Sequence, residues 1–495
     1  MPILTILIAW PLVVGLVLVF VPQVRAYSRE VALGAALAEL VAAVGLIAAF
    51  DRDDAATVQF TEQHAWIPQI GASWAVGVNG IGLTLVVLAA VLTPLAILAA
   101  WREDEATDRR AQYLGLILIA ESFMVGIFAA RDLVLFYVLF EAMLVPLYFL
   151  IGAFGGAQRR YAAVKFLIYS LVGGLIMLVG VIALYFAGPG GEQAYLLDNL
   201  VGIHYAQPWI ENLLFVSFFI AFAIKAPMVP LHTWLPTVAE NSRAGTTALL
   251  VAVLDKIGTF GMLTLCLPLF PNAARWAAPT IIVLAVISVL YGALLAIGQD
   301  NMYRLVAFTS VSHFGVMVLG IFALKNTPVE GAAFYMLSHG LSTAALFWLV
   351  GFLEARHGTV SVSGFGGVQK VAPVFAGTFL IVGMSALALP GLAPFASEIM
   401  VFIGALEVSR AAVIVAITSV ILAALYILLM YQKVFTGEPN EAMRTTAELS
   451  VRERLVTWPL IVIMLVLGLV PALALNYVGD ASASVVTLVS EEAGQ

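Results

Sequence analysis

Two lysines and one carboxylate stand where charge is expensive. Lys225 lies in FFIAFAIKAPMVPLHTWLP, Lys256 in LLVAVLDKIGTFGM and Glu398 in LPGLAPFASE. Each stretch is apolar and contains or borders helix-breaking Pro or Gly. A bare charge at a bilayer centre costs about 2.5–3.5 kcal/mol even on insertion scales. The chain has only 6 lysines and puts two of them in such places. Burial favours a neutral amine, and a nearby carboxylate restores the charge. A lysine whose counter-charge comes and goes is therefore a proton switch.

Glu141, in LFYVLFEAMLVPLYFLIG, supplies such a counter-charge. Nine residues of helix after Asp132 put it about 13 Å deep. Pro146 leaves the carbonyl of Ala142 without its helical donor. The bland alternatives are a glutamate near a loop and a lysine that snorkels from a helix end. Asp255 precedes Lys256, and neighbours on a helix point to different faces. Lys256 then faces the interior, while Asp255 faces another helix or a water path, or serves a structural ion pair. His313 and His339 lie in apolar segments, each preceded by a hydroxyl, Ser312 and Ser338. Each histidine reads equally as a proton relay or a hydrogen-bonded core residue. His232 lies in the broken part of its segment, where freed carbonyls are available. Glu121 is a further intramembrane carboxylate, placed to pair with a neighbouring subunit. Glu39 is deep and has no specific role. Lys165, beside the basic loop at 159–160, reads as a snorkelling side chain.

The elements that must hold these residues are membrane helices. Hydrophobic residues make up 62% of the 495 positions, and mean hydropathy is +1.04. Charged residues are 11%, well below a soluble domain. A net charge of −7 says little about partners here, and no basic stripe suits nucleic acid. The single Cys266 excludes a disulfide framework, an iron–sulfur cluster or a thiolate zinc site. The histidines lack metal-ligand spacing, so neither a metal nor a redox cofactor is expected on this chain. The first apolar run has no basic residues ahead of it and reads as a retained span.

By the criterion of about 20 apolar residues per span, about fourteen segments qualify. No strand alternation stands out, and the end from Val478 onward reads as a short polar tail. Fifteen basic residues fall in loops after odd-numbered segments and five in loops after even-numbered ones. The positive-inside rule then places the odd loops in the cytoplasm and both termini on the opposite side. The seventh and twelfth segments are each cut by Pro or Gly near the middle, five spans apart. Broken helices in corresponding positions mark inverted-repeat transporters. The expected fold is an all-α integral membrane protein with two inverted five-helix repeats, each containing a broken helix. Its parts are three N-terminal helices (1–110), a first repeat of helices four to eight (111–275), a second of helices nine to thirteen (276–435), and a last helix with a short tail (436–495).

A family resemblance joins these features. DLVLFYVLFEAMLVPLYFLIGAFGG, with the RRYAAVKFLIY that follows it, then AFAIKAPMVPLHTWLP, VLDKIGTFG, LVAFTSVSHFG and LPGLAPFASE resemble the antiporter-like subunits of respiratory complex I, NADH:quinone oxidoreductase. Within that family the chain is most similar to the subunit M branch, the bacterial counterpart of mitochondrial NADH dehydrogenase subunit 4. The long lateral helix of the subunit L branch is not expected after its last apolar segment. The resemblance runs from about residue 75 to 475 and is most specific from Asp132 to Tyr169. It implies that Glu141 is the ion-pair carboxylate, Lys225 its partner, Lys256 the central lysine, His313 and His339 axis histidines, and Glu398 the terminal carboxylate. Several positions depart from the family pattern: Asn79 where Asp is common, Thr237 after the His-Thr-Trp-Leu-Pro run, Asn301 and Tyr303 before Arg304, and Pro394 in place of Gly.

The function implied is proton translocation within an enzyme complex, with no redox chemistry in this chain. NADH, FMN, iron–sulfur clusters and quinone would belong to other subunits. The implied partners are the antiporter-like subunits L and N, small membrane subunits, lipids and protons. The implied location is a bacterial cell (inner) membrane. Three alternatives stand beside this reading: a subunit of a multisubunit sodium/proton antiporter, a subunit of an energy-converting hydrogenase, and a purely structural membrane anchor. Mid-membrane Lys and Glu argue against the last.

Overall fold

The computed structural model describes residues 2–103 and 106–491. Its helices are α1 (Ile3–Phe20), α2 (Ser28–Ala49), α3 (Gly80–Ala99), α4 (Thr107–Ala129), α5 (Leu133–Phe154), α6 (Arg159–Ala187), α7 (Pro208–Lys225), α8 (Trp234–Asn241), α9 (Ala244–Leu269), α10 (Pro271–Ile297), α11 (Met302–Phe322), α12 (Asn326–His357), α13 (Pro373–Ala386), α14 (Ala393–Ala405), α15 (Arg410–Phe435), α16 (Val451–Leu469) and α17 (Ala472–Glu491). Among the described residues, thirteen helices are long and apolar enough to cross a membrane. By that criterion the thirteen include α17 and leave out α16, the expected fourteenth span, and the expected twelfth span is the shorter pair α13 and α14. Helices α9, α11 and α12 are buried almost all round and form the centre, whereas α1, α2 and α6 turn large apolar side chains outward. A helix that is apolar on every side belongs in the core or in lipid, and both cases occur here.

The two expected breaks are present. After Lys225, Pro227 has no N–H to give to the carbonyl of Ala223, and the amide of Met228 takes that acceptor at 3.0 Å. The carbonyl of Ile224 thereby loses its helical donor, and the fully buried indole of Trp234 donates to it at 2.9 Å. Between α13 and α14 the chain turns through Leu389-Pro390-Gly391, with Gly391 at φ +93°, a conformation suited to glycine.

Two expectations are corrected. The stretch between α2 and α3 is an antiparallel hairpin, β1 (Gln59–Ile67) and β2 (Ala72–Val78), with Ala65 opposite Ser73 and Gln63 opposite Ala75. β2 is covered on both faces, so its sequence shows no alternation to detect. The hairpin is tied down by Ser73 N–H to Asp132 (2.8 Å) and by Leu4 N–H to Glu62 (2.7 Å). Asp132 also caps α5.

Ala472–Glu491 form the helix α17 and not a short polar tail. Its buried residues Ala474, Val478, Ala481, Ser482, Val485 and Val489 recur at helical spacing, but they are small and mildly apolar. Its neighbours include Gly80 and Glu330, at the starts of α3 and α12, and Arg131 and Leu269, at the ends of α4 and α9. These all lie at one end of the bundle, so α17 runs along that face, on the side of the hairpin and the even-numbered loops. The opposite face is locked by Arg356, which donates to both oxygens of Glu453 (2.8 and 2.7 Å).

Candidate proton pathway

Glu141 sits in α5 just before the helix is interrupted at Met143. It faces α6 at Gly174, where any Cβ would overlap its Oε1. Glycine at 174 is thus what makes room for the carboxylate. Oε1 is buried without a hydrogen-bond partner.

Lys225, the last residue of α7, is fully buried. Its Nζ donates to Ser170 Oγ at 3.2 Å and lies 5.0 and 5.2 Å from the ring centres of Phe140 and Phe166. Aromatic faces attract a cation without neutralising it. The ammonium also lies in the field of two carboxylates, Glu141 and Asp255. No direct ion pair joins Lys225 to Glu141 among the described residues.

Lys256 is held more firmly. Its Nζ is 2.7 Å from His339 Nδ1, donates to the Val251 carbonyl at 3.0 Å, and lies over the Phe314 ring at 4.6 Å. Just before it, α9 widens over Leu250–Leu254, where Asp255 N–H reaches five residues back to Leu250. Such wide turns recur at functional sites because they expose carbonyls that a regular helix uses internally. With His339 Nδ1 as acceptor, Nε2 carries the hydrogen and donates to Thr343 Oγ1 at 3.1 Å.

The line continues through His313, whose ring centre is 5.1 Å from that of His339. His313 Nδ1 is buried without a partner. The Tyr335 ring touches both histidines, and its hydroxyl lies close to the Glu398 carboxyl on α14. Ser338 and Ser397, 2.8 Å apart, pin α12 to α14 beside it. Lys225, Lys256, His339, His313 and Glu398 are therefore buried along one line, and the half-buried Glu141 stands at its start.

Residue reasoning missed Tyr335, which lies four positions before His339 on the same helical face, and Ser170, the hydroxyl that receives Lys225. The i, i+4 spacing was the available signal for the first.

The secondary candidates divide. Asp255 belongs to the line: it is fully buried, both of its oxygens lack hydrogen bonds, and it lies in the fields of Lys256 and Lys225. Ser312 donates to the Val289 carbonyl at 2.8 Å and pins α11 to α10. His232 packs its ring on Tyr291 and Phe308, while Trp234 takes the freed carbonyl. Glu121 faces Glu39 of the same chain. Lys165 donates to Thr237 at 3.0 Å. At the remaining departures from the family pattern, Asn79 and Asn301 cap α3 and α11, and the Tyr303 hydroxyl donates to Glu354 at 2.7 Å.

Comparison with known proteins gives the family and the fold. Residues 130–423 match the family described as NADH:quinone oxidoreductase/Mrp antiporter, TM. NADH-quinone oxidoreductase subunit M of Mycobacterium tuberculosis is 42% identical, with 99% of this chain and 95% of that protein covered. A chain of respiratory complex I from Thermus thermophilus superposes with a TM-score of 0.88 at 29% identity, covering 99% and 100% of the two chains. A chain of the Mrp complex from Dietzia sp. shares the fold, with a TM-score of 0.87 at 24% identity and 99% of each chain covered. The chain belongs to the NADH:quinone oxidoreductase/Mrp antiporter transmembrane family.

Proposed function

We propose that this chain is a proton-translocating membrane-arm subunit of a type I NADH:quinone oxidoreductase, working beside other membrane-arm subunits of the subunit L and N type. NADH, FMN, iron–sulfur clusters and quinone belong to other subunits in this reading, and this chain does no redox chemistry. The observation that carries it is the buried line from Glu141 to Glu398, built around two fully buried lysines. Electron transfer elsewhere alters the electrostatics at Glu141. Lys225, held by a hydroxyl and two aromatic rings, then gains or loses its proton. The proton passes by Lys256, His339 and His313 towards Glu398.

The energy scale is adequate. One charge moved against 100 mV requires about 2.3 kcal/mol, within the several kcal/mol that desolvating a buried ion costs. Spans four to eight (α4–α9) and nine to thirteen (α10–α15) form the two inverted repeats, each contributing one broken helix. The membrane is the bacterial inner membrane, with the hairpin, α17 and both termini on the non-cytoplasmic face, the side poor in Lys and Arg.

Lys225→Ala in the assembled complex is expected to abolish or strongly reduce proton pumping. Normal pumping by a fully assembled variant would rule this reading out. The Mrp-like fold supports a second reading, a sodium/proton antiporter subunit. Purification in mild detergent separates them: a flavin and iron–sulfur arm should travel with the chain, whereas sodium-dependent exchange without redox partners would favour the antiporter.

A further inference from the structure

The line of proton carriers has one gap that the six main residues do not fill. Lys225 and Lys256 are both cationic when loaded, and neither can accept a proton from the other while both are charged. Between them lies Asp255. It shares a helical face with Gly258, three residues on. That face is pressed against the end of α7: a Cβ at Gly258 would come within 2.6 Å of the Phe222 carbonyl and of Ala226 Cβ. Lys225 is the residue just before Ala226. Lys256, one position round the helix, points instead at His339 on α12. Helix α9 thus turns its acid to one lysine and its amine to the next relay group.

The Asp255 carboxyl is fully buried and neither oxygen is hydrogen-bonded. A purely structural aspartate at this depth would be expected to have its hydrogen bonds filled. The charged groups in its field are Lys256 and Lys225. Behind them stand His339 and His313 on α12 and α11, and Glu141 on α5, while α3 carries no charged residue and Glu121 of α4 is turned to Glu39.

We propose that Asp255 is the relay carboxylate between the two lysines. This rests on the proton-translocation reading above. The Lys225 ammonium breaks an N–H bond and the Asp255 carboxylate forms an O–H bond. That O–H bond then breaks, and the proton joins the neutral amine of Lys256. Before the transfer, Asp255 competes with Glu141 for the Lys225 charge, so loss of the Glu141 interaction swings the lysine toward its acceptor.

The test uses the assembled complex in membrane vesicles carrying Asp255→Asn, Asp255→Glu or Lys225→Ala, each checked for assembly on native gels. Asp255→Asn should cut protons moved per NADH oxidised roughly tenfold or more, the scale of losing a positioned proton-transfer group. It should also change the pH profile of turnover, and Asp255→Glu should restore both. Infrared difference spectra on NADH addition should show a protonated-carboxyl band in the wild type that is missing in Asp255→Asn. Should Asp255→Asn fail to assemble, Asp255→Thr serves as the neutral variant. Normal pumping in a neutral variant while Lys225→Ala is dead overturns the relay and leaves the broader reading standing. Loss without a changed pH profile or without rescue by Glu assigns a packing role and also overturns it. Normal pumping in Lys225→Ala removes the broader reading itself.

Discussion

The surroundings of the two buried lysines differ in kind. Lys225 ends a helix and rests on one hydroxyl at 3.2 Å and two aromatic faces, with its two carboxylates felt but not bonded. Lys256 lies inside a continuous helix and is bonded at 2.7 Å to a histidine and at 3.0 Å to a backbone carbonyl. A cation held only by rings and a hydroxyl moves at small cost when the field changes. One tied to a histidine and a carbonyl passes its proton along a fixed line. The contrast separates a switching lysine from a wired one, and the broken helix explains why only the first is free to swing.

Removing the switch should have the largest effect. Glu141→Gln keeps the volume and abolishes the charge that alternates with Asp255 for Lys225. Coupled proton transfer should fall at least as far as in the neutral variants of Asp255, read as proton uptake by vesicles under constant NADH oxidation. The wired end should be tuned rather than switched. His339→Ala removes the partner of a charged hydrogen bond, worth about 1.5–3 kcal/mol, so transfer should slow by about one to two orders of magnitude. The same mutation should leave the rate-limiting response to Glu141 unchanged. If His339→Ala and Glu141→Gln alter the pH profile of turnover identically, the distinction between the two lysines is lost.

Much of this line was legible in the residues, for a physical reason. Charge inside an apolar segment is costly, so Lys225, Lys256, Glu141 and Glu398 are conspicuous in a way that surface residues never are. Pro227 and Pro390 announce the breaks just as plainly. What stayed hidden has no such cost attached. Tyr335 is an ordinary apolar-segment residue until packing sets it against two histidines and Glu398. Gly174 is one of many glycines, which are common in membrane helices, and only the position of Glu141 shows what it is for. β2 is covered on both faces and α17 is built from Ala, Ser and Val, so neither carries a strong pattern. The Glu39–Glu121 contact depends on how α2 and α4 pack, which no single segment encodes.

Gly174→Ala probes the same switch by crowding it. The new methyl would overlap the Glu141 carboxylate, and inserting a methyl into a packed site costs about 1–3 kcal/mol. Thermal stability of the complex should drop modestly, and proton transfer should fall several-fold because Glu141 is pushed from its place. At the wired end, Tyr335→Phe keeps the ring stack on His313 and His339 and removes only the hydroxyl next to Glu398. If that hydroxyl bonds the carboxyl during transfer, its loss is worth about 0.5–1.5 kcal/mol, so a two- to tenfold slowing of transfer is expected, with assembly intact. Unchanged transfer in Tyr335→Phe would show that protons reach Glu398 by another route.

The smallest effect should come from a charged group with no part in the line. Asp300, in the loop between α10 and α11, is held below the usual carboxylate range by the Ser361 hydroxyl, aided by the backbone and side chain of Ser363. A depressed value in the folded state means that the ionised form stabilises the fold. That contribution is complete above about pH 4, the unfolded value, and is lost as pH falls through the lower folded value. The carboxylate is largely exposed, so solvent screening leaves at most a few tenths of a kcal/mol. Asp300→Asn should therefore lower the unfolding temperature of the complex slightly at neutral pH, match the wild type in strong acid, and leave proton transfer unchanged at every pH. A pumping defect in this variant would mean that loop charges reach the buried line, and the separation between switch, wire and scaffold would have to be redrawn.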